Sequence, residues 1–401
     1  MKYVAHIVLE ADSVLKIGSG DIDFILDMPV LRDFNDLPFI QGTTLSGIIR
    51  KEFDQKRARE IFGYEDKNDG MASNIVISNA LLLDENNLVQ EELLINKSQF
   101  LSLFDELLIR EHTAINEKGV AKDKSKFDEE VVYKGSKFKF AIESENKDYF
   151  FEVLNKLSNP VLRLGGGSRK GYGKFKIEDI EYECMDENRY AKYSASLNEK
   201  LANKYKLADT NENITHIQVK LQPESTYIFG SGFGDKDCDM IYTTETTIDY
   251  KNKKLSEEKI LIPASSIKGA LRQRTLFYLK NKDEIYKLFG AKKGDKFESR
   301  GNIIISDVYL KKSNEKKFNH VKIDRFTGGA VNGALYNEKV SLSEEFILDI
   351  YILKIYDEVY KAFIEALQDL INGFLLLGGN SLKGHGSFKG EIFINGEKYE
   401  A

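Results

Sequence analysis

A chain that repeats itself in order must fold as similar units, and this one repeats along nearly its whole length. Ile17–Gly20 (IGSG) recurs as Phe229–Gly232 (FGSG), and Phe39–Arg50 (FIQGTTLSGIIR) as Leu261–Arg272 (LIPASSIKGALR). In the same order IFG at Ile61–Gly63 answers LFG at Leu288–Gly290, and NIVISNALL at Asn74–Leu82 answers NIIISDVYL at Asn302–Leu310. HTAIN (His112–Asn116) then pairs with HVKID (His320–Asp324), and LGGGSRKGYGKFK (Leu164–Lys176) with LGGNSLKGHGSFK (Leu377–Lys389). The register divides the chain into domains over 1–188 and 212–401. Residues 189–211 between them are polar, lack glycine and proline, and predict a helical connector.

Each copy reads as an alternating strand, a Gly-Ser turn, a loop, and an amphipathic helix whose cap is expected at Thr43 or Ser265. A β-rich half follows, then a second helix, a glycine-rich loop and a last strand. Helix and strand interspersed in this way predict the α+β class, with the ferredoxin-like βαββαβ plan as the simplest arrangement. At 401 residues and 42% hydrophobic, the chain has apolar content for two ordinary cores. No apolar run approaches the roughly 20 residues of a spanning helix, and the first residues read as a strand, so no membrane partner and a cytoplasmic location are expected. Two cysteines, Cys184 and Cys238, are too few for a disulfide framework or thiolate cluster and read as structural.

The net charge of −6 runs against nucleic-acid binding, which draws on a surplus of lysine and arginine. Its distribution reverses that inference. Acids gather at Asp84–Glu92 and Glu178–Glu187, whereas the glycine-rich loops are locally basic. Gly165, Gly166 and Gly167 give a backbone that can approach a ligand closely and offer amides to anions, with Arg169 and Lys170 adding charge. Gly378, Gly379, Lys383 and His385 repeat the pattern. Neither loop is a Walker loop or a dinucleotide fingerprint, so polynucleotide phosphate is the better ligand, with a tight helix-to-strand turn as the alternative.

The Gly-Ser turn, the IPASSIKGALR segment, the stretch from His320 to Val340 and the C-terminal glycine loop together resemble the RAMP superfamily of CRISPR systems. Within it, HVKIDRFTGGA is most similar to backbone subunits of type III effector complexes. The resemblance implies two tandem modified ferredoxin-like, RRM-like modules laid along guide RNA, with target RNA and other subunits of the complex as further partners. Lys268, in the Ser-Ser-Ile-Lys-Gly motif, joins the implied RNA-binding residues. Thumb hairpins would follow His112 (116–132) and His320 (324–340). The resemblance also implies an aspartate, after the Gly-Ser turn, for metal-dependent cleavage of target RNA. Asp27 in LDMPVLRD fits that pattern and would position a divalent cation, magnesium, with Asp33 as a weaker candidate. Asp249 stands as far before Ile262 as Asp27 before Ile40 and is the second catalytic candidate, although Asp239 competes because this loop is longer.

The remaining candidates each carry a bland reading beside the functional one. Asp21 and Asp23 suit a solvated turn. His6 and His216 match as packed strand residues, while His112 and His320, at the thumb bases, are open to base stacking. Arg50 and Arg272 serve a phosphate or a salt bridge equally, and Phe175 and Phe388 read as core before stacking platform. Three functions fit: a guide-holding subunit that cleaves target RNA, the same scaffold without chemistry, or a guide-processing ribonuclease working without metal.

Overall fold

The computed structural model describes residues 1–18, 20, 28–66, 69–115, 121–208, 214–291, 300–312 and 314–400. Asp21, Asp23 and Asp27 lie outside them. Two compact units emerge, and they exchange short pieces of chain. The first comprises Met1–Ser168, Tyr172–Glu212 and Thr247–Ser256; the second comprises Arg169–Gly171, Asn213–Thr246 and Glu257–Ala401.

In the first unit the elements are β1 (Lys2–Ala11), α1 (Gly42–Arg50), α2 (Gln55–Phe62), β2 (Ile75–Ile77), β3 (Leu81–Leu82), β4 (Leu108–Ile115), β5 (Ala121–Val131), β6 (Lys137–Ser144), α3 (Lys147–Lys156) and β7 (Phe175–Met185). Its main sheet runs β7-β1-β6-β2. Taking these as the fourth, first, third and second strands gives the ferredoxin-like order, with the β4–β5 hairpin inserted ahead of the third strand. The second unit repeats the plan with β8 (Thr215–Pro223), β9 (Lys259–Ile262), α4 (Ala264–Tyr278), α5 (Ile285–Phe289), β10 (Ile303–Ile305), β11 (Val308–Lys311), β12 (Glu315–Ile323), β13 (Ala330–Ser341), β14 (Phe346–Ile352), α6 (Asp357–Ile371) and β15 (Phe388–Ile394). Its sheet runs β10-β14-β8-β15. The fold is thus α+β in two tandem copies.

Period-two burial explains the strands. Ile217, Val219 and Leu221 of β8 send alternate side chains into the core against Leu348, Ile350 and the α6 residues Phe363 and Leu367. The β1 strand is buried on both faces, because Ala5, Ile7 and Leu9 meet the helices while Val4 and Val8 are covered from the other side. That cover is the segment after β7, where, among the described residues, the expected helical connector does not form beyond Glu187–Tyr190. The reason lies in packing and local bonding. Leu197 and Leu201 must reach the open sheet face, Ala195 takes a left-handed φ of 59°, and Ser194 donates to Glu199 instead of continuing a helix. The Glu199 carboxyl is pulled down to about 2 by the Ser194 hydroxyl and amide and then by Arg189.

His6 is buried here, its Nδ1 donating to the Glu199 carbonyl at 3.0 Å and its Nε2 accepting from the Tyr193 hydroxyl at 2.8 Å. The expected match of His6 with His216 fails by two residues. Leu9 pairs with Phe138 as Leu221 pairs with Phe346, which puts Gln218 in the place of His6. His216 instead stacks on Tyr351 and binds Asp349 at 2.9 Å. Phe388 is buried in the second core, and Phe175 packs against the first.

Thr43 and Ser265 do not cap their helices; the caps are Gln41 and Pro263, neither of which supplies a side-chain acceptor. The orphan first amides are satisfied from elsewhere. Gly42 N–H donates to Asn79 Oδ1 at 2.9 Å, and Ala264 N–H to Asp307 Oδ1 at 2.8 Å. Asn79 and Asp307 occupy matched places in the repeated NIVISNALL and NIIISDVYL text. The two copies therefore use one distant cap in amide and carboxylate forms. Asp307→Ala should cost roughly 1 kcal/mol or more, the usual loss of a cap, whereas Asp307→Asn should hold most of that stability. Denaturant unfolding of both variants checks this, and equal losses would refute the capping role.

Candidate nucleic-acid interface

Both hairpins begin earlier than the sequence suggested, at Leu108 and Glu315, so His112 and His320 lie within their first strands. Each histidine stacks on the aromatic ring across the ladder: His112 on Phe127 at 5.1 Å and His320 on Tyr336 at 4.9 Å. Each also faces a carboxylate sealed from solvent. In the first unit Glu129 Oε1 accepts from Lys16 Nζ at 2.5 Å, and His112 Nε2 lies 3.2 Å from Oε2 and 2.6 Å from the Tyr172 hydroxyl. In the second unit Glu338 accepts from His320 Nε2 at 2.5 Å, from His385 Nε2 at 3.1 Å and from the Asn380 amide. The Thr226 hydroxyl donates to His385 Nδ1 at 2.7 Å, completing that network.

The partners come from three places in each copy: the hairpin, the strand before the Gly-Ser turn, and the glycine-rich loop. The carboxylates thus brace hairpin to loop, and His112, His320 and His385 are spent on the brace. Burial disfavours a charged Glu338, but hydrogen bonds from His320, His385 and Asn380 outweigh it and hold its pKa below the ordinary glutamate value.

The glycine loops are also more committed than expected. Gly166 N–H donates to the Lys16 carbonyl at 2.8 Å, and Gly379 N–H to that of Ile228 at 2.7 Å, so these two amides do not stand free for an anion. Gly165 and Gly378 sit at φ of 71° and 90°, where a Cβ would strike those same carbonyls. Gly167 and Asn380 take matching left-handed conformations. The charges follow on the short turns Ser168–Lys170 and Ser381–Lys383. Lys383 is exposed and lies over the Tyr336 ring at 4.4 Å from its centroid.

The second unit gathers Arg169, Lys268, Arg272 and Arg300. Burial, then Arg169 and Arg272, push the Lys268 ammonium down to about 8. Burial and Arg300 likewise lower Arg169. Arg272 also donates to the Gly290 carbonyl at 3.3 Å. Arg169 and Arg272 thus lie close enough to Lys268, and Arg300 to Arg169, for the cations to act on one another. Such a cluster suits an anion. In the first unit Arg50, the counterpart of Arg272, lines an open groove of about 740 Å³ together with Lys51, Phe53, Arg59 and Tyr64 and with the acids Glu65 and Asp66, the latter paired with Arg59. Bases interleaved with aromatic rings suit a nucleic-acid strand.

The loop register corrects one expectation. Bridges join Gly18 to Val30 and Gly230 to Tyr242, and Glu130 N–H reaches the Met28 carbonyl as Lys339 N–H reaches that of Met240. The residue matched to Asp27 is therefore Asp239, not Asp249. Asp239 is exposed, and its Oδ2 accepts from the Asn337 N–H on the second hairpin at 2.8 Å. Asp249 lies in a hairpin of the first unit, where Asn252 binds both carboxylate oxygens at 3.0 and 2.7 Å and lowers its pKa. Counting back from Ile262 misled because the second-half turn carries an inserted arm. Asp33 Oδ1 accepts from the Asn35 and Leu37 amides at 2.8 and 3.0 Å, a turn-forming role. Among the described residues no group of three or more His, Cys, Asp or Glu is arranged to hold a metal. Asp239 alone offers one exposed carboxylate, which fits a magnesium ion only if substrate phosphate and water supply its other ligands.

Sequence reasoning missed Glu129 and Glu338, although the signal was present. Carrying the repeat through the hairpin with one added residue aligns Asp128–Glu130 with Asn337–Lys339.

The chain matches the RAMP superfamily model over residues 8–176 and 220–389. It is 28% identical over 162 residues, 33% of its own length, to the protein described as the CRISPR system Cms endoribonuclease Csm3 of Methanocaldococcus jannaschii. It spans 62% of that relative's length. A chain from the type III-B Cmr-beta complex bound to cognate target RNA aligns with a TM-score of 0.35 and 16% identity, over 45% of this chain and 60% of that one.

Glu338→Gln should lower stability at pH 7 by roughly 1–3 kcal/mol, the cost of breaking a buried hydrogen-bonded charge. A carboxylate whose folded pKa is depressed stabilises above its unfolded value of about 4.3, and that contribution is lost as pH falls through the folded pKa. The gap between wild type and variant should therefore close below about pH 4 in denaturant titrations. A gap that persists unchanged there would show that Glu338 is not ionised in the folded protein.

Proposed function

The chain belongs to the RAMP superfamily, and from that premise we propose that it is a backbone subunit of a type III CRISPR effector complex, holding guide RNA with both modules. The observation that carries this reading is the cation cluster of Arg169, Lys268, Arg272 and Arg300, whose members lie close enough to act on one another and whose charge suits a phosphate backbone. The groove lined by Arg50, Lys51, Phe53 and Tyr64 gives the first unit bases and aromatic rings of its own, beside the acids Glu65 and Asp66. Lys170 and Lys383 add charge on the loops, and Glu129 and Glu338 tie the hairpins that would displace a nucleotide to those loops. Phe326 at the described tip is 98% exposed and offers a ring for that contact.

Cleavage of target RNA belongs to the same proposal, with Asp27 and Asp239 as the loop carboxylates. A divalent cation such as magnesium, held by the aspartate and RNA phosphate, would stabilise the charge that develops on the phosphodiester. The protein's part is to hold the carboxylate at the hairpin root: the Asn337 N–H donates to Asp239 Oδ2, and the Asp239 N–H donates to Asn337 Oδ1. The runner-up is the same scaffold without chemistry, with cleavage in other subunits. The cytoplasm is the proposed location, and no described helix is long and apolar enough to cross a membrane.

Two outcomes test the reading. Phosphate favours the charged form of Lys268, so affinity for single-stranded RNA should fall as pH rises through about 8. Lys268→Arg should remove that dependence, and Lys268→Ala should weaken binding at every pH and reduce the salt slope by about one unit. Affinity that ignores both pH and Lys268 would refute the cluster's role. In the assembled complex, Asp27→Asn and Asp239→Asn should each abolish cleavage at one boundary while leaving RNA binding intact, and Asp249→Asn should change nothing. Mapping product ends decides this, and cleavage unaffected by the first two variants leaves the scaffold reading.

A further inference from the structure

The turn Asp33–Leu37 of the first unit carries Phe34 at 98% exposure, beside Ile95 at 97% and Leu93 at 76%. These side chains sit on a fixed support. Asn35 Nδ2 donates to the Glu92 carbonyl at 2.9 Å, and Leu94 N–H donates to Asn35 Oδ1 at 2.9 Å. Leu94 itself packs against the core, leaving its two neighbours outside. Aromatic and aliphatic groups held rigid in water are a recognition surface more often than an accident.

The second half of the chain shows what this place in the fold is used for. The bridge between Arg32 and Pro38 matches the pairing of Thr244 with Ile260, and between those residues the tight turn has grown into an arm. Within the first unit that arm fills a socket. The Tyr250 ring meets Phe100 at 4.9 Å, its hydroxyl donates to the Leu83 carbonyl at 2.9 Å, and Lys137 N–H donates to that hydroxyl at 3.2 Å. Lys137 Nζ lies 5.3 Å from the ring centroid, and Ile248 N–H reaches the Lys134 carbonyl at 2.9 Å. Gly135 leaves no room for a Cβ against Ile248, so the socket is shaped to the arm.

We infer that the Phe34–Leu93–Ile95 surface docks into the corresponding socket of another module of this fold, supplied by a different polypeptide. The inference rests on the proposed role as a backbone subunit and names a partner surface for it. A second copy of this chain is a poor occupant, because its second half passes from Leu310 to Glu315 with no counterpart of the stretch from Asp84 to Leu107 that supplies Phe100. RNA is a poor occupant as well. The nearby bases Arg32 and Lys97 are already paired, with Glu130 and Asp36 and with Asp36 and Asp105 respectively. With both bases held by carboxylates, what this surface offers a partner is apolar, which matches a socket built around an aromatic ring such as Phe100, the one that Tyr250 fills in this chain.

A photo-crosslinking benzoylphenylalanine at position 34, in the complex assembled with its guide RNA, tests the occupant. The expected product joins this chain to one protein subunit, at a peptide aligning with Leu81–Leu83 or Lys134–Lys137 of this module. Crosslinks to RNA or to a second copy would overturn the inference, as would no crosslink in a complex that has otherwise assembled. Phe34→Asp combined with Ile95→Asp should leave the chain's unfolding midpoint and RNA affinity unchanged, since both positions are exposed, while the yield of that one neighbour falls at least about tenfold. Full assembly by the double variant would refute the surface alone. Failure of the wild-type chain to bind RNA would instead refute the proposed function.

Discussion

Glu129 and Glu338 are carboxylates removed from solvent, and charges so placed are tolerated only while their partners keep position. That requirement ties three parts of each module together. The hairpin supplies the glutamate and a histidine; the glycine-rich loop supplies Tyr172 in one copy and Asn380 with His385 in the other. The strand before the Gly-Ser turn supplies Lys16 or, through His385, Thr226. The chemical solutions differ while the geometry is kept: one copy uses a lysine and a histidine, the other two histidines. Hairpins anchored this way can carry exposed groups far from the sheets without losing their direction.

The glycines belong to the same constraint. Gly165 and Gly378 lie where any side chain would collide with the strand carbonyl, which lets the loop bond back to that strand beneath the hairpin. Their conservation between the copies thus answers to backbone approach. The proposed ligand contacts fall instead to the cations that follow, where Arg169 and Arg272 lie near Lys268. The acidic total of the chain and a local gathering of cations are compatible because many acids are spent in pairs elsewhere, as Arg57 with Glu152 and Arg189 with Glu183 show.

Much of this was legible in the sequence, for a definite reason. Period-two burial, the ordered repeat and the turn residues fixed the α+β class and the strand sequence, since each is a local or pairwise signal. What stayed hidden depends on tertiary contact. The caps from Asn79 and Asp307 reach helices far away in sequence, and the connector failed as a helix because Leu197 and Leu201 are needed on the sheet. Asp249 was misplaced since counting residues cannot detect an inserted arm, whereas backbone pairing can. His6 and His216 matched in text but not in register, because two strands of like composition slide freely until their neighbours are known.

Hydrogen exchange of the whole chain, with and without a single-stranded RNA spanning both modules, tests the central claim of two RNA-holding units most directly. Added protection is expected in both units at once: around Arg50 and Tyr64 in the first, and around Arg169, the start of α4 and the Asp324–Gly329 tip in the second. Protection confined to one unit, or none at either cation surface, would contradict the account.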